Sequence, residues 1–304
     1  MKNNLPLELF EKHRAMLGLL NPVVFDHENQ LFEDRHAPIA SAVVFLPKSK
    51  ALIDMTLALV SEKVALNGII VLAGANDAGI RSAKDSFERN IGPVEQKIVG
   101  NHSALYVGRN KKLGAGKTWR DFLSFSPITF KDTKLEVAKL PGVFSAGELD
   151  EGTKLLLENI PYNKTKVLDI ACGAGVIGAI YNKLAPKNDV TMSDSSFLAV
   201  RASEETLRKN NLEAKVLLSD VFSSVDGAFD LILSNPPFHT GVETDYSFIE
   251  RFARDAKKHL NRGGEVYVVA NSFLPYEETL GKYIGPAETV VNDGTFKVIR
   301  ATCP

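Results

Sequence analysis

The chain has 304 residues, is 44% hydrophobic and 24% charged, and carries a net charge of −1. That length suits two domains with full cores, and no apolar run reaches the roughly eighteen residues a membrane helix needs. Cys172, Cys303 and the six histidines stand in no metal or redox spacing, so no metal site is expected. The start, Met1-Lys2-Asn3-Asn4-Leu5-Pro6, has no apolar signal core, and a reducing cytoplasm is the expected compartment.

Charge is unevenly spread. Residues 1–126 hold 16 Lys and Arg against 13 Asp and Glu, and residues 127–304 hold 20 against 24. The first part is the better suited to meet a polyanion, though a solvated surface is the plainer explanation.

Leu7, Phe10, Leu17 and Leu20 fall at helical spacings between Leu5 and Phe25, which predicts a helix ending near Asn21-Pro22. Ala42 to Leu46 reads as a strand stopped by Pro47, Ala51 to Val60 as an apolar helix, and Gly68 to Leu72 as a second strand. Gly74-Ala75-Asn76-Asp77-Ala78-Gly79 follows, then a helix over Ile80 to Asn90 and a strand over Ser103 to Val107. Strands alternating with helices imply a parallel sheet. The stretch Arg109 to Arg120 holds Arg109, Lys111, Lys112, Lys117 and Arg120, no acid, and the chain's one Trp, Trp119. It suits phosphate contact and base stacking, or else is an exposed loop with its Trp tucked inward.

Ile128 to Lys139 reads as a hairpin turning at Lys131-Asp132-Thr133, or as a linker, so domains are expected at 1–126 and 127–304. Leu140-Pro141-Gly142-Val143-Phe144-Ser145 is a loop, and Leu149 to Ile160 an amphipathic helix. Lys166 to Ile170 is a short strand running into Gly173, Gly175 and Gly178 in G-x-G-x-x-G spacing, then a helix through Leu184. A glycine loop opening a helix after a strand lets a ligand lie on backbone and favours an anionic group, or simply packs strand on helix. The next strand ends at Asp194, about 20 residues on, where a ribose-binding carboxylate is expected; Asp194 can equally cap the helix after it. A strand over Lys215 to Leu218 leads to Asp220, which could accept from an adenine amine or cap a turn.

Phe229 to Leu233 is a buried strand, and Ser234-Asn235-Pro236-Pro237-Phe238 must end it because two prolines cannot donate to a ladder. The loop suits one task, holding an exocyclic amine during attack on an electrophile. The Asn235 side-chain oxygen and the Pro236 carbonyl can each accept one N–H, and Phe238 offers a face for the ring bearing the amine. The plain alternative is a turn with a packed Phe. A helix over Tyr246 to Leu260 buries Phe248, Phe252 and Ala256 and is stopped by Asn261-Arg262-Gly263-Gly264. Glu265 to Ala270 is a strand whose exit loop, Asn271 to Tyr276, faces the ligand side, and Glu288 to Arg300 reads as a hairpin about Asn292-Asp293-Gly294.

The series Val167 to Gly175, Asp194, Asp220 and Ser234 to Phe238 resembles S-adenosylmethionine-dependent methyltransferases. With Leu140 to Ser145, Asn235 to His239 and Val269 to Tyr276 added, it is similar to the bacterial ribosomal RNA guanine-N2 methyltransferases. The resemblance implies an α/β chain of two domains, a C-terminal seven-stranded Rossmann-like class I sheet and an N-terminal decayed copy of it, of which Gly68 to Gly79 is a weak echo of the glycine loop. It implies transfer of a methyl group from S-adenosylmethionine to N2 of a guanine in ribosomal RNA, most often of the small subunit. Asp169, Gly173 and Gly175 then hold the methionine part of the donor, Asp194 its ribose and Asp220 its adenine. Asn235 and Pro236 accept from the amine, Phe238 and Asn271 meet the substrate, and Lys111, Lys112, Lys117 and Arg120 dock the RNA. A monomer is expected. Methylation of adenine N6 or a protein glutamine uses a similar loop, often with Tyr in place of Phe238. A ribosome-assembly factor without turnover is the other alternative.

Overall fold

The computed structural model describes residues 5–19, 21–25, 39–144, 149–236 and 242–304, with side chains in the last segment from 248. The chain divides into two compact units, Met1–Leu123 and Ser124–Pro304.

In the first unit α1 (Leu5–His13), β1 (Val23–Phe25), β2 (Ile39–Phe45), α2 (Lys50–Lys63), β3 (Val64–Ala75), α3 (Lys84–Asn90), β4 (Gln96–Gly100) and β5 (Ser103–Arg109) give a sheet of order β1-β2-β3-β5-β4. The opening helix ends sooner than its apolar spacing predicts. Gly18 turns the chain at φ 67, and Val23–Phe25, just past the expected helix end, enter the sheet as β1. Leu9 and Phe10 of α1 pack on Val71, Leu105 and Val107. The sheet is not wholly parallel, as the alternation predicts: β5 runs antiparallel to β3 and β4 to β5. The cause is local. Asn101 and His102 are both left-handed, at φ 48 and 54, and close a two-residue hairpin between Gly100 and Ser103, which joins antiparallel neighbours with no crossover.

The second unit opens with the hairpin of β6 (Ser124–Phe130) and β7 (Thr133–Lys139). It continues through α4 (Glu151–Glu158), β8 (Lys166–Ile170), α5 (Val176–Leu184), β9 (Asp189–Asp194), α6 (Phe197–Lys209), β10 (Lys215–Leu218) and β11 (Phe229–Ser234). It closes with α7 (Val242–Ala256), β12 (Leu260–Asn271), α8 (Tyr276–Tyr283), β13 (Ala287–Asn292) and β14 (Phe296–Thr302). The hairpin is part of this unit rather than a linker. Ala138 N donates to Thr206 Oγ1 at 3.0 Å, and Asn210 exchanges bonds with the Glu136 backbone at 2.9 and 2.8 Å. The large sheet has the order β10-β9-β8-β11-β12-β14-β13. Its first five strands are parallel, β14 is antiparallel to β12, and β13 to β14. Ile249, Phe252, Ala253 and Ala256 of α7 share a core with Ile232, Val266 and Val268. Strand order reverses between β8 and β11, so the loops leaving these neighbours flank the crevice where α/β sheets bind ligands. Among the described residues no helix is long and apolar enough to cross a membrane.

The first unit repeats one half of the second. β2 and β3 pair at Ile39 and Val64, skip, and resume at Ser41 and Ile69; β11 and β12 pair at Phe229 and Leu260, skip, and resume at Leu231 and Glu265. At the skip Asn67 and Gly263 are both left-handed, at φ 62 and 74. Asn67 and Gly68 exchange backbone bonds with Asn110 as Gly263 and Gly264 do with Cys303, all at 2.8–2.9 Å. Strands β1-β2-β3-β5-β4 therefore stand for β8-β11-β12-β14-β13. The Gly68 to Gly79 segment corresponds to β12 and its exit, which corrects its reading as an echo of the glycine loop after β8. Asn261 to Gly264 likewise do not stop a helix but form the bulged start of β12.

Asn110 is the polar pin of the first unit. Fully buried, it donates through Nδ2 to the carbonyls of Ser61 and Val64 at 2.9 and 2.8 Å, and its Oδ1 accepts from Ser61 Oγ and Lys112 N, both at 3.0 Å. Losing such a group strands buried donors and acceptors at roughly 1–3 kcal/mol each. Asn110→Leu is expected to lower the melting temperature by several degrees without touching donor binding in the other unit; an unchanged melting curve would show the network to be dispensable.

Candidate active site

β8 runs into Ala171-Cys172-Gly173-Ala174-Gly175, and Ala171, Gly173 and Gly175 are left-handed at φ 58, 57 and 79. Side chains take up the polar groups that this path exposes. Gly173 N donates to Asp194 Oδ2 and Gly178 N to Asp169 Oδ2, both at 2.9 Å. Ser203 Oγ donates to Gly173 O at 3.0 Å and Thr206 Oγ1 to Ala174 O at 2.8 Å. The glycines thus divide their work. A Cβ on Gly175 would meet Ser203 of α6 at 2.8–3.0 Å and one on Gly178 would meet Met192 of β9 at 2.7 Å, so the first packs the loop on α6 and the second packs α5 on the sheet. Gly173 alone of the three lines the cavity above the strand ends. Gly175, left-handed and off the cavity wall, packs on Ser203 where α5 starts.

The cavity holds about 270 Å³. Asp220, Asp194, Gly173 and Asn235 line it, carried at the ends of β10, β9, β8 and β11 and so in that order across the sheet. Asp194 combines both of its expected roles in part. Its Oδ1 accepts from Ser196 N at 2.9 Å, at the start of α6, while the carboxyl also lines the cavity, where burial raises its pKa. Asp220 is held by Arg251 in a two-pronged pair at 2.7 and 2.8 Å. Asp169 is fully buried beneath the loop, off the cavity wall, and accepts from Gly178 N of α5. Among the described residues its Oδ1 has no partner, and burial, only partly offset by the Gly178 N–H and reinforced by Asp194, pushes its pKa up to about 8.

Asn235 sits on the cavity wall with its carboxamide fixed. Nδ2 donates to Asp150 Oδ2 at 2.9 Å and to Thr153 Oγ1 at 2.8 Å. Both N–H bonds are spent on the protein, which leaves Oδ1 as the acceptor. Asp150 also caps α4, its Oδ2 accepting from Thr153 N at 2.9 Å. Pro236 follows, buried. Phe238 lies outside the described residues. Asn271 ends β12, one strand over from β11, and is not among the residues lining the cavity.

The four cations of the basic stretch expected to dock RNA, Lys111, Lys112, Lys117 and Arg120, lie in the first unit, and the fifth, Arg109, pairs with Glu95 at 3.7 Å. Lys111 Nζ donates to Asn67 Oδ1 at 3.0 Å and Lys112 Nζ to Glu62 O at 2.6 Å. Lys117 lies over the Phe122 ring, and Arg120 stacks on a half-buried Trp119 at 4.4 Å. Among the described residues none of the four is paired with a carboxylate.

Asp150, Thr153, Ser203, Thr206 and Arg251 escape the sequence reading, and Phe248 enters it only as a buried helix residue. Asp150 shows the signal of a helix N-cap, and Ser203 with Thr206 shows a polar i, i+3 face on an otherwise apolar side of α6. Phe248 and Arg251 share the same spacing on α7 and both line the cavity. None of these signals names its distant partner.

Asp169 gives the site a pH signature. In the unfolded chain an aspartate ionises above about pH 4; folded, this one keeps its proton up to about pH 8. Between those values the folded state binds the extra proton, so stability falls as pH rises, by up to about 1.4 kcal/mol per unit. Asp169→Asn removes that slope. Urea midpoints at pH 5.5, 7 and 8.5 are expected to shift in favour of the variant as pH rises; parallel curves would return Asp169 to an ordinary pKa.

Comparison with known proteins agrees with this geometry. The methyltransferase small domain model matches residues 134–300, and its N-terminal companion matches residues 8–125. Ribosomal RNA small subunit methyltransferase C from Aliivibrio salmonicida is 33% identical, over 99% of this chain and 91% of its own. The Haemophilus influenzae protein of that name is 39% identical over 84% and 77%. The structure of a T. thermophilus 16S rRNA N2 methyltransferase in complex with AdoMet and guanosine superposes with a TM-score of 0.78 at 23% identity, over 90% of this chain and 76% of that one. With both family models matched in order and a relative spanning nearly its whole length, the chain belongs to the ribosomal RNA small subunit methyltransferase C family.

Proposed function

We propose that the chain transfers a methyl group from S-adenosylmethionine to the exocyclic N2 amine of a guanine in small-subunit ribosomal RNA. The observation that carries this is Asn235, whose two N–H bonds are spent on Asp150 and Thr153 while its oxygen is left to accept, beside the loop of Gly173.

The residues present fit the donor. From β10 to β11 is three strand spacings, about 14 Å, enough for a nucleoside with an amino-acid tail. Asp220 accepts from the adenine amine and Asp194 from the ribose hydroxyls through lone pairs left over from its backbone bonds. The bare backbone at Gly173 lies along the tail. When bound, S-adenosylmethionine supplies a methyl group on a positively charged sulfur. Asn235 Oδ1 and the Pro236 carbonyl accept the two amine hydrogens, drawing the nitrogen toward tetrahedral geometry and freeing its lone pair. Phe238 stacks on the base, which must leave its helical stack to reach this depth. Asp169 keeps the floor of the site in shape and takes no part in proton transfer. We take the chain to act as a cytoplasmic monomer.

Asn235→Ala is expected to lower kcat on the order of a hundredfold or more with donor affinity nearly unchanged. Single-turnover methylation paired with donor calorimetry checks this, and intact turnover would make Asn235 structural.

The first unit is assigned to docking, with Lys111, Lys112, Lys117 and Arg120 meeting phosphates without reading sequence. Lys117→Ala with Arg120→Ala should raise the KM for RNA, leave kcat near normal, and flatten the salt slope of binding by roughly 0.7–0.9 per lost contact. RNA affinity at three salt concentrations decides it; an unmoved slope returns this stretch to a structural role around Trp119.

A further inference from the structure

A carboxamide offers an acceptor at one end and donors at the other, and its shape is nearly the same either way round. Facing an amine, the first end draws it in and the second repels it. Asn235 alone does not decide between them. The groups behind it do.

Asp150 Oδ2 lies 2.9 Å from Asn235 Nδ2, and Thr153 Oγ1 lies 2.8 Å from it. A carboxylate oxygen only accepts. Turning the amide over would set Asn235 Oδ1 against Asp150 Oδ2 and lose that bond. Thr153 is 2% exposed and Asn235 6%, so bulk solvent has little access to repair the loss. We infer that Asp150 and Thr153 are positioning residues for methyl transfer, holding the Asn235 carboxamide with its oxygen toward the incoming amine. This rests on the function proposed above.

The pair acts on charge as well as on shape. As the carbon–nitrogen bond forms, the carbon–sulfur bond breaks and sulfur keeps its electron pair. Positive charge passes to the nitrogen, which then sheds one proton to solvent. The Asp150 carboxylate stands one hydrogen bond behind the amide, and polarisation along that chain strengthens Oδ1 as an acceptor at the moment the nitrogen becomes cationic. A residue that only capped α4 would do neither.

Three variants separate the roles. Thr153→Val keeps the shape and removes the acceptor, Thr153→Ser returns the hydroxyl, and Asp150→Asn keeps an oxygen that can accept but removes the charge. Each is incubated with unmethylated small-subunit rRNA, free and in particles, and labelled S-adenosylmethionine. N2-methylguanine is measured after hydrolysis, with donor affinity and melting temperature recorded alongside. Thr153→Val and Asp150→Asn are expected to lower kcat on the order of tenfold or more, with donor affinity and the KM for RNA near the unaltered values. Thr153→Ser is expected to recover most of the loss. If the unaltered chain makes no N2-methylguanine, the proposed function falls. If it does, and both Thr153→Val and Asp150→Asn turn over as it does, the function stands and the positioning role is overturned. Should Thr153→Val fail to fold, Asp150→Asn decides alone.

Discussion

Three left-handed residues in five bend the backbone between β8 and α5, and the second unit is built to hold that bend. For Ala171 such a φ carries a cost of about 1–2 kcal/mol. It is offset by the bonds that meet the loop from three directions, Asp169 from below, Asp194 from β9, and Ser203 with Thr206 from α6. Thr206 also takes Ala138 N, so β7, α6 and the loop form one hydrogen-bonded body. The site therefore rests on sheet and helix rather than on a free loop, which keeps Gly173 in register with Asn235 one strand away.

The sequence states local facts well. A strand, glycines and a helix in series announce the loop, and Asn235-Pro236-Pro237 announces the end of β11, because both rest on neighbours in the chain. Residues that play one part or another with the same chemistry are harder to sort. An aspartate after a strand can hold a ligand or a helix, and Asp169 holds the helix while Asp194 lines the cavity and also bonds the chain at the start of α6. Two glycines of the three serve packing, a distinction that lies in Ser203 and Met192, far along the chain. The Asp150–Asn235 bond spans 85 residues and leaves no local trace. The antiparallel edge of the first sheet is missed for another reason: its turn is Asn101-His102, and the neighbouring Gly100 stands before the turn rather than in it.

The half-repeat in the first unit has a consequence for what that unit can become. In the second unit, residues 171–228 between β8 and β11 carry the loop, α5, β9, α6 and β10, hence Gly173, Asp194 and Asp220. The equivalent gap between β1 and β2 is residues 26–38, too few for two strands and two helices. Counting from the shared skip in register, Phe45 occupies the place of Asn235. Replacing Phe45 by Asn would restore an acceptor facing nothing, because the residues that seat the donor belong to the half that is missing. The loss is one of length, not of letters. No substitution within the first unit can therefore seat a donor, because what separates the two gaps is some forty-five residues of chain.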